Sequence, residues 1–97
     1  MTAAEYLWAF AERAGDGWAV VVAPGGVQEV RHTCGLAFHM WDRPGLLLVD
    51  GCVVYQGRNL AAVQGEESPA VCMAALVAHF APLRVALAYA RAALVAP

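Results

Sequence analysis

Residues 44–57 read PGLLLVDGCVVYQG, and how this stretch is assigned decides the fold. Two apolar runs, 46–49 and 52–55, flank Asp50-Gly51. Asp-Gly between aliphatic and β-branched runs is a strong hairpin signal. Both central residues of a type I′ turn need φ > 0, which Gly adopts freely and Asp tolerates. The stretch therefore predicts a β-hairpin with Val49 facing Cys52, Leu48 facing Val53, Leu47 facing Val54 and Leu46 facing Tyr55. Every one of these positions is apolar. A hairpin with one wet face would alternate, so this ribbon is expected to be covered on both sides.

Upstream, Asp42-Arg43-Pro44-Gly45 reads as a four-residue turn after a strand over 36–41. Thr33-Cys34-Gly35 reads as a three-residue hairpin loop with Gly at the left-handed position. Strands over 27–32 and 18–23 precede it, separated by Pro24-Gly25-Gly26. The expectation is a five-stranded antiparallel meander. Loop lengths then set which side chains share a face. They place Trp18 opposite His32, His32 opposite Leu36, Trp41 opposite Leu46 and Val49 opposite Cys52. One face collects Trp18, Val30, Phe38, Leu47, Val49 and Val54 as a core. The other carries Glu29, Arg31 and His39, then Trp41, Leu46, Leu48, Val53 and Tyr55.

Helices are expected at both ends. Residues 3–14 place Leu7, Phe10, Ala11 and Ala14 on one stripe, with Ala3 and Tyr6 beside it. Thr2 and Glu5 have capping-box spacing, and Gly15 is a stop signal. Ser68-Pro69 opens a second helix, Ser as N-cap and Pro at the first helical position. Pro82 is expected to kink or break it, with helix resuming over 83–95. Residues 57–67 carry the weakest signal; within them 60–64 read either as a short edge strand or as a helical turn, because Ala61 and Ala62 weaken the strand reading. The predicted class is α+β in a single domain over 1–97. An N-terminal helix and a meander of about five strands precede a Pro-kinked helical segment packed on one sheet face.

Composition bounds the function. Apolar residues make up 61% and charged residues 14%, against about 45–50% and 25% in ordinary soluble domains. A chain this apolar is expected to have part of its surface covered by a partner. Net charge is −2 with no basic run, which argues against nucleic acid. Residues 70–96 are long and apolar enough to raise a membrane-associated alternative. His79, Pro82, Arg84 and Arg91 interrupt that stretch, so a packed helix is preferred. Arg84 and Arg91 would lie about 10 Å apart on one helical stripe, which reads as a solvated face. Three cysteines, an odd number without close spacing, argue for a reducing, cytoplasmic setting.

His32, Cys34 and His39 are legitimate ligand or thiol-chemistry types and carry the alternative of a small metal- or thiol-dependent protein. Their spacing lacks C-x-x-C or H-x-x-x-H, and strand parity sends His32 and His39 to opposite faces. No catalytic constellation and no cofactor are predicted. The preferred expectation is a non-enzymatic interaction module. Its partner would be a second copy or another protein, met through Arg31, His39, Trp41, Leu46, Leu48, Val53 and Tyr55. Trp, Tyr and Arg are the types enriched at binding hot spots.

Overall fold

The computed structural model describes residues 1–80. The expected Pro82 kink, the helix over 83–95 and the stripe with Arg84 and Arg91 lie outside the described residues. Elements follow as α1 (Ala3–Ala14), β1 (Trp18–Ala23), β2 (Gly26–His32), β3 (Leu36–Asp42), β4 (Val49–Tyr55), β5 (Arg58–Glu66) and α2 (Pro69–Phe80). The strands form one antiparallel sheet in the order β1-β2-β3-β4-β5. The class is α+β, as the sequence predicts.

Helix α1 starts where its cap dictates. Thr2 Oγ1 accepts the Glu5 N–H at 3.1 Å, and the Thr2 N–H donates back to Glu5 Oε1 at 2.9 Å. This reciprocal pair satisfies two donors that the first helical turn leaves unbonded. The Ala3 N–H donates to the Asp42 carboxylate at 3.0 and 3.2 Å. A negative group at the positive end of the helix dipole is favourable, and this one ties α1 to the end of β3. Ala3, Tyr6, Leu7 and Phe10 are buried on one stripe. Phe10 meets Trp18 and Phe38 edge-on, with ring centroids 5.3 and 6.1 Å apart. Ser68 Oγ caps α2 by accepting the Val71 N–H at 3.2 Å. The N-terminal signals of both helices thus act as read.

Helix α1 packs on β1, β2 and β3, and α2 packs on β4 and β5. One core unites them with a single sheet face: Leu7, Phe10, Val30, Leu36, Phe38, Met40, Val49, Val53, Met73 and Leu76 are all buried in it. Removing most of a side chain such as Phe38 from a core of this kind costs about 3–5 kcal/mol.

The first three strands keep the expected register except at the far end of β1, where β2 gains one residue beyond Glu29 so that Val22 pairs with Val27 and Ala23 with Gly26. Trp18 pairs with His32, and Val30 with Phe38. The 44–57 stretch does not. Asp50-Gly51 is not a turn; β4 runs straight through it. Residues 43–48 are a loop, and Asp42 pairs with Val49 and Trp41 with Asp50. The two-residue turn sits one step later, at Gln56-Gly57, between the paired Tyr55 and Arg58. Both turn residues have positive φ, 49° and 79°, as a type I′ turn demands. The segment 58–66 is therefore a full edge strand, which its alanines had obscured.

Tertiary contacts explain why Asp50-Gly51 stays extended. The Asp50 carboxylate is gripped by Arg43, Nε to Oδ2 at 3.0 Å and a guanidinium NH2 nitrogen to Oδ1 at 2.8 Å, and it accepts the Gly65 N–H at 2.8 Å. On the opposite face, a Cβ at Gly51 would stand 2.6 Å from Cys72 Sγ and 3.0 Å from the His39 carbonyl oxygen. Gly51 is needed for the close approach of α2, not for a turn. Removing the turn shifts strand parity by one beyond it. Val53 and Tyr55 consequently join Phe38 and Leu36 on the covered face, and Cys52 and Val54 take the other, reversing the expectation for all four. Leu47, expected in the core, is 98% exposed.

Candidate open-face site

The sheet face turned away from α1 and α2 is built of cross-strand rows. One row runs Val21, Glu29, His39, Cys52, Ala62 across all five strands. The next runs Ala19, Arg31, Ala37, Val54. Alternation along each strand places these residues on one side, so the juxtaposition follows from register alone.

Glu29 is the hub. It is 8% exposed, yet its carboxylate reaches two cationic types. His39 Nε2 lies 2.8 Å from Oε1, and an Arg31 guanidinium NH2 nitrogen lies 2.7 Å from Oε2. The second contact is an ion pair without a directed hydrogen bond, because the buried Oε2 has no partner of hydrogen-bond geometry. A buried carboxylate is costly unless paired, so the pair keeps Arg31 over Glu29 while its own side chain stays largely in solvent. The His39 ring stacks on Trp41, with centroids 6.1 Å apart and planes 24° apart. Trp41 is 37% exposed. The result is a flat aromatic pair between two charged pairs, Glu29 with Arg31 and Asp50 with Arg43, Asp50 lying directly opposite Trp41.

The seven residues expected at the interface separate into three places. Arg31, His39 and Trp41 come together on the open face. Leu46 and Leu48 belong to the 43–48 loop, and line a cleft of about 630 Å³ at the N-terminal ends of the two helices, with Glu5, Asp42, Glu67 and Pro69 among the other lining residues. Val53 is fully buried in the core, and Tyr55 packs against it. Their assignment to the open face is corrected by the parity shift described above. The sequence places Glu29 on this face with Arg31 and His39 but not among the interface residues. Its signal was present in the sequence, since parity sets it directly opposite His39 and two residues from Arg31.

The residues of the metal and thiol alternative do not converge. His32 lies against Trp18, ring centroids 4.7 Å apart, and its Nδ1 accepts the Cys34 N–H at 3.0 Å. This bond closes the 33–35 turn with the backbone of Cys34. His39 is engaged by Glu29 on the other face. Among the described residues, no group of three His, Cys, Asp or Glu is placed to hold a metal ion. Burial, and then the nearby Glu29 charge, push the Cys52 thiol above its ordinary range. A thiol held protonated is a weak nucleophile. No helix among the described residues is long and apolar enough to cross a membrane.

No family model, curated protein or solved structure matches the chain.

Proposed function

We propose that this protein is a non-enzymatic interaction module that binds another protein through the open face of its sheet. One observation carries the reading: both described helices pack on the same face, and the opposite face presents Trp41 stacked on His39 beside Arg31 paired to Glu29. Trp and Arg dominate binding hot spots, where a rigid aromatic and a held guanidinium contribute contact with little entropy left to lose. The Glu29 pair also supports specificity. The exposed Arg31 guanidinium, held over Glu29, favours a partner that offers acceptors, and an apolar competitor would strip its water without replacing the hydrogen bonds. A cytoplasmic setting belongs to this reading, supported by three cysteines that are all free.

The test is sedimentation of the tagged protein from its native cells, at native abundance, for wild type and for a Trp41→Ala, Arg31→Glu double variant. Wild type is expected in a particle heavier than two copies of the chain, and the variant outside it. Two hot-spot losses of about 2 kcal/mol each weaken binding by roughly three orders of magnitude. Wild type running as the free chain, or the variant keeping its place in the particle, refutes the proposal.

A further inference from the structure

The sheet is open, and its two edges differ. Edge strand β5 carries Arg58 and Glu66, contains Gly65 with φ 70°, and breaks register with β4 at two places. Charge and irregularity of this kind protect an edge from pairing. Edge strand β1 reads WAVVVA, without a charge, Gly or Pro. Its one register irregularity, between Val21 and Val22, leaves the extra residue in β2, because Val21 pairs with Glu29 and Val22 with Val27. The β1 backbone is uninterrupted.

Hydrogen-bond alternation shows which β1 groups face outward. The Thr33 N–H donates to the Gly17 carbonyl at 2.9 Å, so Gly17 and Thr33 are a hydrogen-bonded pair. Alternation then directs the backbone groups of Ala19 and Val21 at β2 and those of Val20 away from the sheet. Val20 N–H and C=O therefore stand at the edge with no strand beside them among the described residues. Val22, also on this strand, is 67% exposed.

We propose that β1 pairs antiparallel with β1 of a second copy of this chain, about a two-fold axis at Val20. The sequence is self-complementary in this register. Val20 exchanges two backbone hydrogen bonds with its own counterpart. Trp18 of each copy faces Val22 of the other on the helix-covered side, an aromatic–β-branched pair of the stabilising kind. Ala19 faces Val21 on the open side. No position sets like charges opposite one another, which a charged edge strand could not avoid in self-pairing. The product is one continuous ten-stranded sheet, and it puts the two open faces side by side. The surface is distinct from the Trp41 face and does not depend on the reading given to it. The strand contact is short and belongs to the weaker class of interfaces, so assembly is expected in the micromolar range.

Sedimentation equilibrium of the purified chain, with amide exchange followed by NMR, tests this. The chain is expected to dimerise with concentration, and the Val20 amide to slow in step with the dimer fraction. Val22→Lys, at an exposed side chain, should leave far-UV circular dichroism unchanged and weaken dimerisation about tenfold or more, since an edge lysine is a natural guard against pairing. Val20→Pro removes the outward N–H without touching the bonds to β2 and should act likewise. Trp41→Ala should leave the dimer intact. A chain that stays monomeric up to NMR concentrations overturns the proposal. So does a dimer in which the Val20 amide exchanges freely, or one that Val22→Lys and Val20→Pro both leave unchanged.

Discussion

Gly51→Ala distinguishes a turn glycine from a packing glycine. In a type I′ turn, Ala at this position would cost roughly 1 kcal/mol of left-handed backbone strain whatever its neighbours were. In β4 the backbone at Gly51 is free of that strain, since its φ is not among the positive ones. The cost is instead steric. The added methyl would stand 2.6 Å from Cys72 Sγ, 3.0 Å from the His39 carbonyl oxygen and 3.2 Å from Leu76 Cδ1. The two α2 side chains can shift, but the carbonyl belongs to the β3 ladder and cannot. Overpacking of this order costs about 1–3 kcal/mol, and each kcal/mol lowers Tm by about 4–8 °C in a domain of this size. The decisive measurement is a double-mutant cycle with Cys72→Ala, read by urea unfolding. Removing Sγ removes the nearest contact, so the double variant should recover about 0.5–1 kcal/mol relative to the sum of the single variants, within the range seen for touching residues. Additivity to within about 0.3 kcal/mol would show that Cys72 does not lie over Gly51. The packing of α2 on β4 would then be wrong.

Two further predictions concern titration. The Arg43 hydrogen bonds, and then the Gly65 N–H, hold the Asp50 carboxyl below its ordinary value. A lowered folded pKa means that this contribution to stability is complete above the unfolded value near 4 and is lost as pH falls through the folded one. Stability of wild type should therefore fall more steeply than that of Asp50→Asn between about pH 5 and pH 2; parallel curves would exclude the clamp. Burial first, then the charges of Glu66 and Asp50, push the Cys72 thiol up to about 12. In the native chain at about pH 8, a maleimide should leave Cys72 unmodified until urea unfolds the protein. Peptide mapping that finds Cys72 labelled before Cys34 and Cys52 would contradict its place on the sheet-facing side of α2.

The elements that sequence reading recovers are those whose causes are local. The Thr2–Glu5 box, Gly15, Ser68-Pro69 and the Thr33-Cys34-Gly35 loop each act within four residues of where they are written, and each appears as expected. Register across β1, β2 and β3 follows from those loops by parity. Asp50-Gly51 fails because its causes are distant. Its carboxylate is taken by Arg43 and by Gly65, fifteen residues on, and its missing side chain is required by Cys72. Turn propensity is a weak local preference, and three charge-assisted or backbone bonds outweigh it. The correct turn lay in the same stretch: Gln56-Gly57 also offers a glycine at the second position, and CVVY continues the strand up to it.

The same contrast accounts for the site. The places of Arg31, His39 and Trp41 follow from loops upstream of Asp50-Gly51, and they share the open face. The places of Val53 and Tyr55 depend on a turn at Asp50-Gly51, and without it one residue of parity carries Val53 into the core and Tyr55 against it. Burial of Glu29 was beyond reach of composition, because a carboxylate is buried only where a partner stands opposite, and that is a property of register. Asp50-Gly51 shows why the error and the fold have one origin. In a turn, both residues would face solvent. In a strand they face opposite ways, Asp50 towards Arg43 and the Gly65 amide, Gly51 towards Cys72 of α2. A side chain that binds and one that is absent are thus set back to back on an interior strand of the sheet. The dipeptide joins β4 to the loop before it, to β5 beside it and to the helix above it, which no turn residue could do.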